Sequence, residues 1–258
     1  MSEIVSKAQK ITALKGERPI SALTAYDYPT ARLLDEAGVD ILLVGDSLGM
    51  VVLGFPDTTH VKLDHILHHT EAVARGAKQA LIVADFSIDT YRDPVETLVN
   101  GQKLIAVGAH AVKLEGGMRQ VDKIKTLVAH GIPVMGHLGM LPQRVREEGG
   151  YKKKGKSEGD LKVLIESALA LQDAGVFAIV LESVVPASAQ AISEALQIPT
   201  IGIGCGRGTC DGEVAVITDL IGSFPWFVPP FATPRAKVAE NITQAVSGYL
   251  KALDNDGK

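Results

Sequence analysis

The chain has 258 residues, 46% hydrophobic and 22% charged, with a formal net charge of −4. This is enough chain for one globular domain with a sizeable core, and the charge balance offers no cationic footprint for nucleic acid or an anionic membrane surface. No apolar run approaches a membrane span, the N-terminal residues hold no signal-peptide core, and Cys205 and Cys210 read as reduced thiols of a cytoplasmic protein.

Residues 1–18 read as a short charged helix and an entry loop, and residues 20–25 as a first strand. Asp27 is placed to cap a helix with Pro29 in its first turn and apolar Ala31, Leu33 and Leu34. Gly38 closes that helix. Ile41-Leu42-Leu43-Val44, apolar on both faces like a buried parallel strand, leads to Gly45, Asp46 and Ser47. The cycle then repeats. Helix 62–75 precedes strand 80–84 and Asp85, and helix 94–107 precedes strand 111–114, which carries Lys113 and ends in Glu115-Gly116-Gly117. Helix 119–129 precedes strand 132–135 and Gly136-His137. After a long loop, helix 161–174 precedes strand 177–181 and Glu182. Helix 187–196, strand 200–203, a short helix 213–221, an eighth strand at 226–228 and a helix 235–253 complete the set.

Gly38, Gly108, Gly131 and Gly175 each stand where a left-handed helix C-cap is wanted, just before a strand. Such alternation predicts parallel βα units, and a count of eight favours a closed (β/α)8 TIM barrel over an open sheet. With no linker or shift in composition, residues 1–258 read as a single barrel domain with a short N-terminal helix.

In a barrel the carboxyl ends of the strands share one face, and that face carries the chemistry. Asp46, Asp85, Glu115, His137 and Glu182 end strands two to six, and Lys113 points to the same side of its strand as Glu115 because side chains alternate. Any one of these could be a helix cap or a rim charge. Five in succession describe a pocket. Three carboxylates with no cysteine and at most one histidine form a hard, oxygen-rich site that favours Mg²⁺ or Mn²⁺ over Zn²⁺. Such an ion keeps positions open for water or a chelating 2-oxo acid, stabilising charge on the keto oxygen as a neighbouring C–H loses its proton. Glu182, on a separate strand, is free to be the base.

Residues 138–160 form a long loop containing Lys152-Lys153-Lys154-Gly155-Lys156, read either as a solvated turn or as a lid or electropositive lip. His65, His68 and His69 have helical spacing, but with Asp64 as their carboxylate neighbour they read as packing and surface residues. Gly202-Ile203-Gly204-Cys205-Gly206 is a weak glycine motif that permits close approach of substrate or chain.

Thr24-Ala25-Tyr26-Asp27, Val44-Gly45-Asp46-Ser47-Leu48-Gly49-Met50, His68-His69-Thr70 with Arg75-Gly76-Ala77, Val112-Lys113-Leu114-Glu115-Gly116-Gly117, Gly136-His137-Leu138-Gly139 and Gly202-Ile203-Gly204 follow one another at compatible spacings. Together they resemble the ketopantoate (3-methyl-2-oxobutanoate) hydroxymethyltransferase family. The resemblance implies a barrel of the phosphoenolpyruvate/pyruvate type. It also implies transfer of a hydroxymethyl group from 5,10-methylenetetrahydrofolate to 3-methyl-2-oxobutanoate, giving 2-dehydropantoate for pantothenate and coenzyme A synthesis through a Mg²⁺-stabilised enolate. By the same resemblance Asp46 and Asp85 are direct ligands of one Mg²⁺ per subunit, and Glu115 is a third metal-site carboxylate. Asp46, Ser47, Asp85, Lys113 and His137 surround the 2-oxo acid, and Glu182 removes the C3 proton. A cytoplasmic homodecamer with neither nucleic-acid nor membrane partners is implied as well, and the lysine run would favour the acidic polyglutamate tail of a folate.

Two stretches depart from the family pattern. Cys205 stands where the motif has alanine, and Phe224-Pro225-Trp226-Phe227-Val228-Pro229-Pro230-Phe231 replaces the usual basic pattern. A rival reading is a C–C lyase or mutase of the isocitrate lyase and phosphoenolpyruvate mutase group, marked by a nucleophilic loop cysteine that residues 138–160 lack. A non-catalytic barrel would have lost the charged ring, yet every position of it is filled.

Overall fold

Among the described residues, 3–256, eight parallel strands pair in sequence order and close into a barrel in the computed structural model. The order is α1 (Glu3–Thr12), β1 (Ile20–Thr24), α2 (Tyr28–Glu36), β2 (Ile41–Val44), a single turn α3 (Leu48–Val51), α4 (Leu63–Gly76) and β3 (Leu81–Asp85). Then come α5 (Pro94–Ala106), β4 (Ala111–Glu115), α6 (Val121–Ala129), β5 (Val134–Gly139), α7 (Glu158–Asp173) and β6 (Ala178–Glu182). The remaining elements are α8 (Pro186–Ala195), β7 (Thr200–Ile203), β8 (Gly212–Ala215), α9 (Ile217–Leu220) and α10 (Val238–Asp256). The chain gathers into two compact units, Met1–Val214 and Ala215–Lys258.

Local chemistry explains where the helices begin and end. Asp27 accepts the Thr30 N–H at 2.8 Å ahead of Pro29, and Asp93 accepts the Val95 and Glu96 N–H groups ahead of Pro94. Gly38, Gly108, Gly131 and Gly175 all have φ between +75° and +107°, as the sequence reading expected.

The barrel interior follows from strand alternation. Ile20 and Ala22, Ile41 and Leu43, Leu81 and Val83, Ala111, Met135, Ala178 and Val180, Ile201 and Val214 form one buried cluster. Ala8 and Ile11 of α1 join it, and Thr12 Oγ1 donates to the Phe177 carbonyl at 3.0 Å. Phe177 precedes β6, so α1 covers the end of the barrel where the strands begin. The opposite end is left for chemistry.

The eighth strand is not where the sequence suggested. It is Gly212–Ala215, inside the expected helix 213–221, with Ile201 registered on Gly212 and Gly202 on Glu213. The connection from β7 is only residues 204–211, without a helix, so the regular βα rhythm breaks there. Residues 226–228, expected as a strand, are irregular, and Trp226, Phe227 and Val228 are exposed. In the second unit, α10 displays exposed Ile242, Val246, Tyr249, Leu250 and Leu253 along one helical stripe. No helix among the described residues is long and apolar enough to cross a membrane.

One buried carboxylate ties α2 to the turn before β3. Asp35 accepts the N–H groups of Lys78, Gln79 and Ala80 at 3.0, 2.9 and 2.8 Å. Burial alone would raise its carboxyl, but these three donors outweigh it and hold Asp35 below the usual carboxylate range. Asp35→Ala is expected to destabilise the protein by about 2–4 kcal/mol at pH 7 in urea unfolding, with Asp35→Asn costing less. Because the folded value is lowered, the stabilisation is present above an unfolded value of about 4 and is lost as pH falls through the folded one. The gap between wild type and Asp35→Ala therefore narrows in acid, and an undiminished gap there would refute the role of the charge.

Candidate active site

The inward-facing ladder that fills the barrel with apolar groups turns ionisable one layer further up. In β3 the series Leu81, Val83 continues to Asp85, in β4 Ala111 to Lys113 and Glu115, in β5 Met135 to His137, and in β6 Ala178, Val180 to Glu182. The register sets Asp85 beside Lys113 and Glu115 beside His137. Asp46 follows β2, and its N–H donates to Asp85 Oδ2 at 3.2 Å. Ser47, at the start of α3, has its Oγ 2.9 Å from the Tyr26 hydroxyl. The structure thus brings together all the site residues expected from the sequence.

Lys113 Nζ lies 2.6 Å from Asp85 Oδ1 and 3.3 Å from His137 Nδ1. His137 Nδ1 is 3.5 Å from Glu115 Oε1, and its Nε2 is 3.2 Å from Glu182 Oε2. Asp46, Asp85, Lys113, Glu115 and His137 are all buried, while Glu182 is partly open. Burial, then the charges of Asp85 and Glu115, push the Asp46 carboxyl well above its usual range. Burial raises Asp85 too, against the Lys113 charge and hydrogen bond. Burial opposes the Lys113 charge, but Asp85, Glu115 and Asp46 prevail and hold its ammonium above the ordinary value. For His137, burial and Lys113 oppose protonation, but hydrogen bonds to Glu115 and Glu182 carry it up to about 9.

The loop after β5 supplies a residue that the sequence reading missed. Gln143 donates through Nε2 to Asp46 Oδ2 at 3.0 Å and to the Phe86 carbonyl at 2.7 Å, and its backbone N–H donates to Glu115 Oε2 at 3.2 Å. Its Oε1 accepts the Tyr91 hydroxyl at 2.6 Å. A neutral amide in a long loop leaves no mark in an inventory of charges, and its only sequence signal is its place, directly after Pro142 beyond an active strand end. The same loop is pinned to β6: the Lys154 N–H donates to the Ser183 carbonyl at 2.9 Å and the Val185 N–H to the Lys154 carbonyl at 3.0 Å. Ser183, directly after Glu182, has φ +50°, a left-handed conformation that fixes the chain just beyond that carboxylate. Gly139 has no Cβ to strike the Glu182 carbonyl, which lets the ends of β5 and β6 close together.

His65 accepts the Lys62 N–H at 3.1 Å at the start of α4, and His69 contacts the Tyr26 carbonyl, so both serve local structure.

Three buried carboxyl groups cluster about Lys113 and His137, and this hard, oxygen-rich set suits a divalent cation such as Mg²⁺. Glu115 Oε1 is buried and faces His137 Nδ1 at 3.5 Å. Among the described residues, no three His, Cys, Asp and Glu side chains are arranged to hold a metal ion by themselves. Mg²⁺ commonly takes one or two carboxylates and fills its other positions with water and substrate oxygens. Asp46 and Asp85, joined through the Asp46 N–H, are the pair best placed to hold it.

Residues 6–257 match the family model of ketopantoate hydroxymethyltransferase. A 3-methyl-2-oxobutanoate hydroxymethyltransferase of Pyrobaculum arsenaticum is 50% identical over 249 residues, covering 96% of this chain and 94% of that protein. Among solved structures, 2,3-dimethylmalate lyase, a member of the PEP mutase/isocitrate lyase superfamily, aligns with TM-score 0.63 at 16% identity, covering 100% of this chain and 90% of the other. Phosphonopyruvate hydrolase in complex with oxalate and Mg²⁺ aligns with TM-score 0.64 at 14% identity, covering 98% and 88%. At these identities the structural likenesses speak for the fold alone, a closed barrel of eight parallel strands with helices around it.

Gln143→Leu keeps the size of the side chain while removing every polar contact of its amide. It is expected to weaken the apparent affinity for Mg²⁺ or Mn²⁺ by about 10–100-fold, as loss of partners behind metal ligands does. Metal titration of the purified variant measures this, and unchanged affinity would show that the amide does not position Asp46.

Proposed function

The chain belongs to the ketopantoate hydroxymethyltransferase family, and on that premise we propose that it transfers a hydroxymethyl group from 5,10-methylenetetrahydrofolate to 3-methyl-2-oxobutanoate. The product is 2-dehydropantoate, the first committed intermediate toward pantothenate and coenzyme A. The observation that carries the reading is the division of charge: Asp46, Asp85 and Glu115 cluster about Lys113, while Glu182 stands apart on β6 beside His137.

The substrate is an anion with two adjacent oxygen-bearing carbons. Lys113 and Ser47 are suited to hold those oxygens, the first by charge and the second by its hydroxyl. Asp46 and Asp85 would hold Mg²⁺, one ion per subunit, with Glu115 as a third carboxylate of the metal site, and the phosphonopyruvate hydrolase complex with Mg²⁺ on the same fold supports that choice. When bound, the ion supplies Lewis-acid stabilisation of negative charge on the keto oxygen. Glu182 takes the C3 proton, and His137 Nε2 at 3.2 Å from Glu182 Oε2 fixes the direction of that carboxylate. The C3 nucleophile then adds to the methylene carbon as one carbon–nitrogen bond of the donor breaks, water replaces the second, and tetrahydrofolate leaves, so that one water is consumed with its oxygen in the new hydroxymethyl group. Burial of Asp85, Lys113 and His137 keeps solvent from competing for these charges. The family resemblance extends to a cytoplasmic homodecamer, and the exposed apolar stripe of α10 supports self-assembly.

Solvent deuterium exchange at C3 of 3-methyl-2-oxobutanoate, followed by NMR without folate, tests the base. We expect Mg²⁺-dependent exchange that EDTA removes and that Glu182→Gln slows by about 10²–10⁴-fold. Exchange at the wild-type rate in Glu182→Gln would move the base to another residue.

A further inference from the structure

The thiol at position 205, where the family motif has alanine, stands beside a second one. Strand β7 ends at Ile203, and the short connection 204–211 folds back over it before β8 begins. A Cβ at Gly202 would meet Cys210 Sγ at 3.1 Å, Cys210 Cβ at 3.4 Å and Cys205 Cβ at 3.6 Å, so both cysteines pack over one glycine. Their thiols lie within hydrogen-bonding reach of each other, and both are free. Cys205 is buried and Cys210 is partly open.

The surroundings give the two sulfurs different parts. The hydrogen bond from Cys205, supported by the Thr200 and Thr209 hydroxyls, outweighs burial and holds Cys210 down to about 7. Contact with Cys210, together with burial, pushes Cys205 up. The more open sulfur is therefore also the readier thiolate, and the buried one keeps its proton. Cys205 Sγ lies 3.0 Å from the Leu181 carbonyl, an acceptor for that same proton. Leu181 directly precedes Glu182, and the Ser183 N–H donates to the Ile203 carbonyl at 2.8 Å. The thiol pair thus sits behind the strand end that carries the proposed base.

We propose that Cys205 and Cys210 are a reversible modification site, separate from the acid cluster, that reacts with hydrogen peroxide and closes to a disulfide. In the first step the Cys210 thiolate attacks the peroxide. An S–O bond forms, the O–O bond breaks, and the sulfur becomes a sulfenic acid while hydroxide leaves with the electron pair. The Cys205 sulfur then attacks Cys210, the S–O bond breaks, and the Cys205 proton leaves with the departing hydroxyl as water. In all, two thiols and one peroxide give one disulfide and two waters. A disulfide requires Cβ atoms about 3.5–4.5 Å apart. Gly204, Gly206 and Gly208, all at positive φ, give the connection the freedom to bring them there. Closure withdraws the Cys205 proton from the Leu181 carbonyl, one residue before Glu182. The thiol chemistry stands independently of the reaction, whereas its link to catalysis rests on Glu182 being the base in the transferase reading above.

The test treats the reduced full chain with hydrogen peroxide over a pH series, comparing wild type, Cys205→Ala and Cys210→Ser. Arg207 lies between the two cysteines, so trypsin leaves two peptides that only the new bond holds together. In wild type we expect that linked pair by mass spectrometry, loss of both thiols to alkylation, and full recovery with dithiothreitol. The rate should rise as pH passes about 7. Cys205→Ala should stop at a Cys210 sulfenic acid trapped by dimedone, and Cys210→Ser should react at least about tenfold more slowly. Wild-type thiols that both stay free, or a bond that forms only between two chains, would overturn the site. The oxidised wild type should exchange C3 of 3-methyl-2-oxobutanoate about two- to tenfold more slowly than the reduced protein, with dithiothreitol restoring the rate. Equal rates with the bond in place would overturn the link to Glu182. Absence of exchange in the reduced protein would overturn the transferase reading and leave the thiol pair as the peptides show it.

Discussion

Lys113 and Asp85 approach to 2.6 Å with side chains only 4% and 2% exposed, and nearly everything at the open end of the barrel depends on that contact. An ammonium taken out of water is tolerated only with a close counter-charge, and removing one partner of such a pair typically costs about 3–5 kcal/mol. Here one lysine is set among three carboxylates. Its charge and hydrogen bond oppose the burial that raises Asp85, while Asp46 and Glu115 add two further buried carboxyl groups to the cluster. A crowd of buried carboxyl groups around one lysine is a poor arrangement for stability alone and a suitable one for receiving a cation and an anionic substrate together.

The fold supplies the precision. Parallel register places Asp85 against Lys113 and Glu115 against His137, so the charged contacts inherit the spacing of backbone ladders. The groups that are not on strands, Asp46 and Gln143, are drawn in by hydrogen bonds, Asp46 through its own N–H and Gln143 through both ends of its amide. Glu182 is held differently, with left-handed Ser183 and the Lys154 backbone bracing the chain immediately after it. The residue proposed to move a proton therefore sits at a braced strand end, apart from the carboxylates proposed to hold the metal.

Much of this was legible in the sequence because it is governed by short periods. Alternation carried Asp85, Lys113, Glu115, His137 and Glu182 to one face, and glycine C-caps marked the ends of α2, α5, α6 and α7. What escaped notice has no period. Strand β8 follows β7 after a connection too short for a helix, and Gly212-Glu213-Val214-Ala215 is too brief to stand out against the apolar segment 226–228. That segment, hydrophobic by composition, is exposed, and composition does not distinguish a core strand from a surface loop. Gln143 was hidden because its role comes from where a long loop folds back, a tertiary fact that local pattern does not encode.

The most direct measurement is the anomalous difference map of a crystal grown with Mn²⁺ and 3-methyl-2-oxobutanoate. A single manganese peak in bonding contact with Asp46 and Asp85, with the 2-oxo acid beside it and its C3 facing Glu182, is the expected result. A peak at another place on the chain, with Lys113 and Asp85 still paired beside an empty pocket at saturating metal and substrate, would contradict the claim that this charge cluster is the catalytic centre.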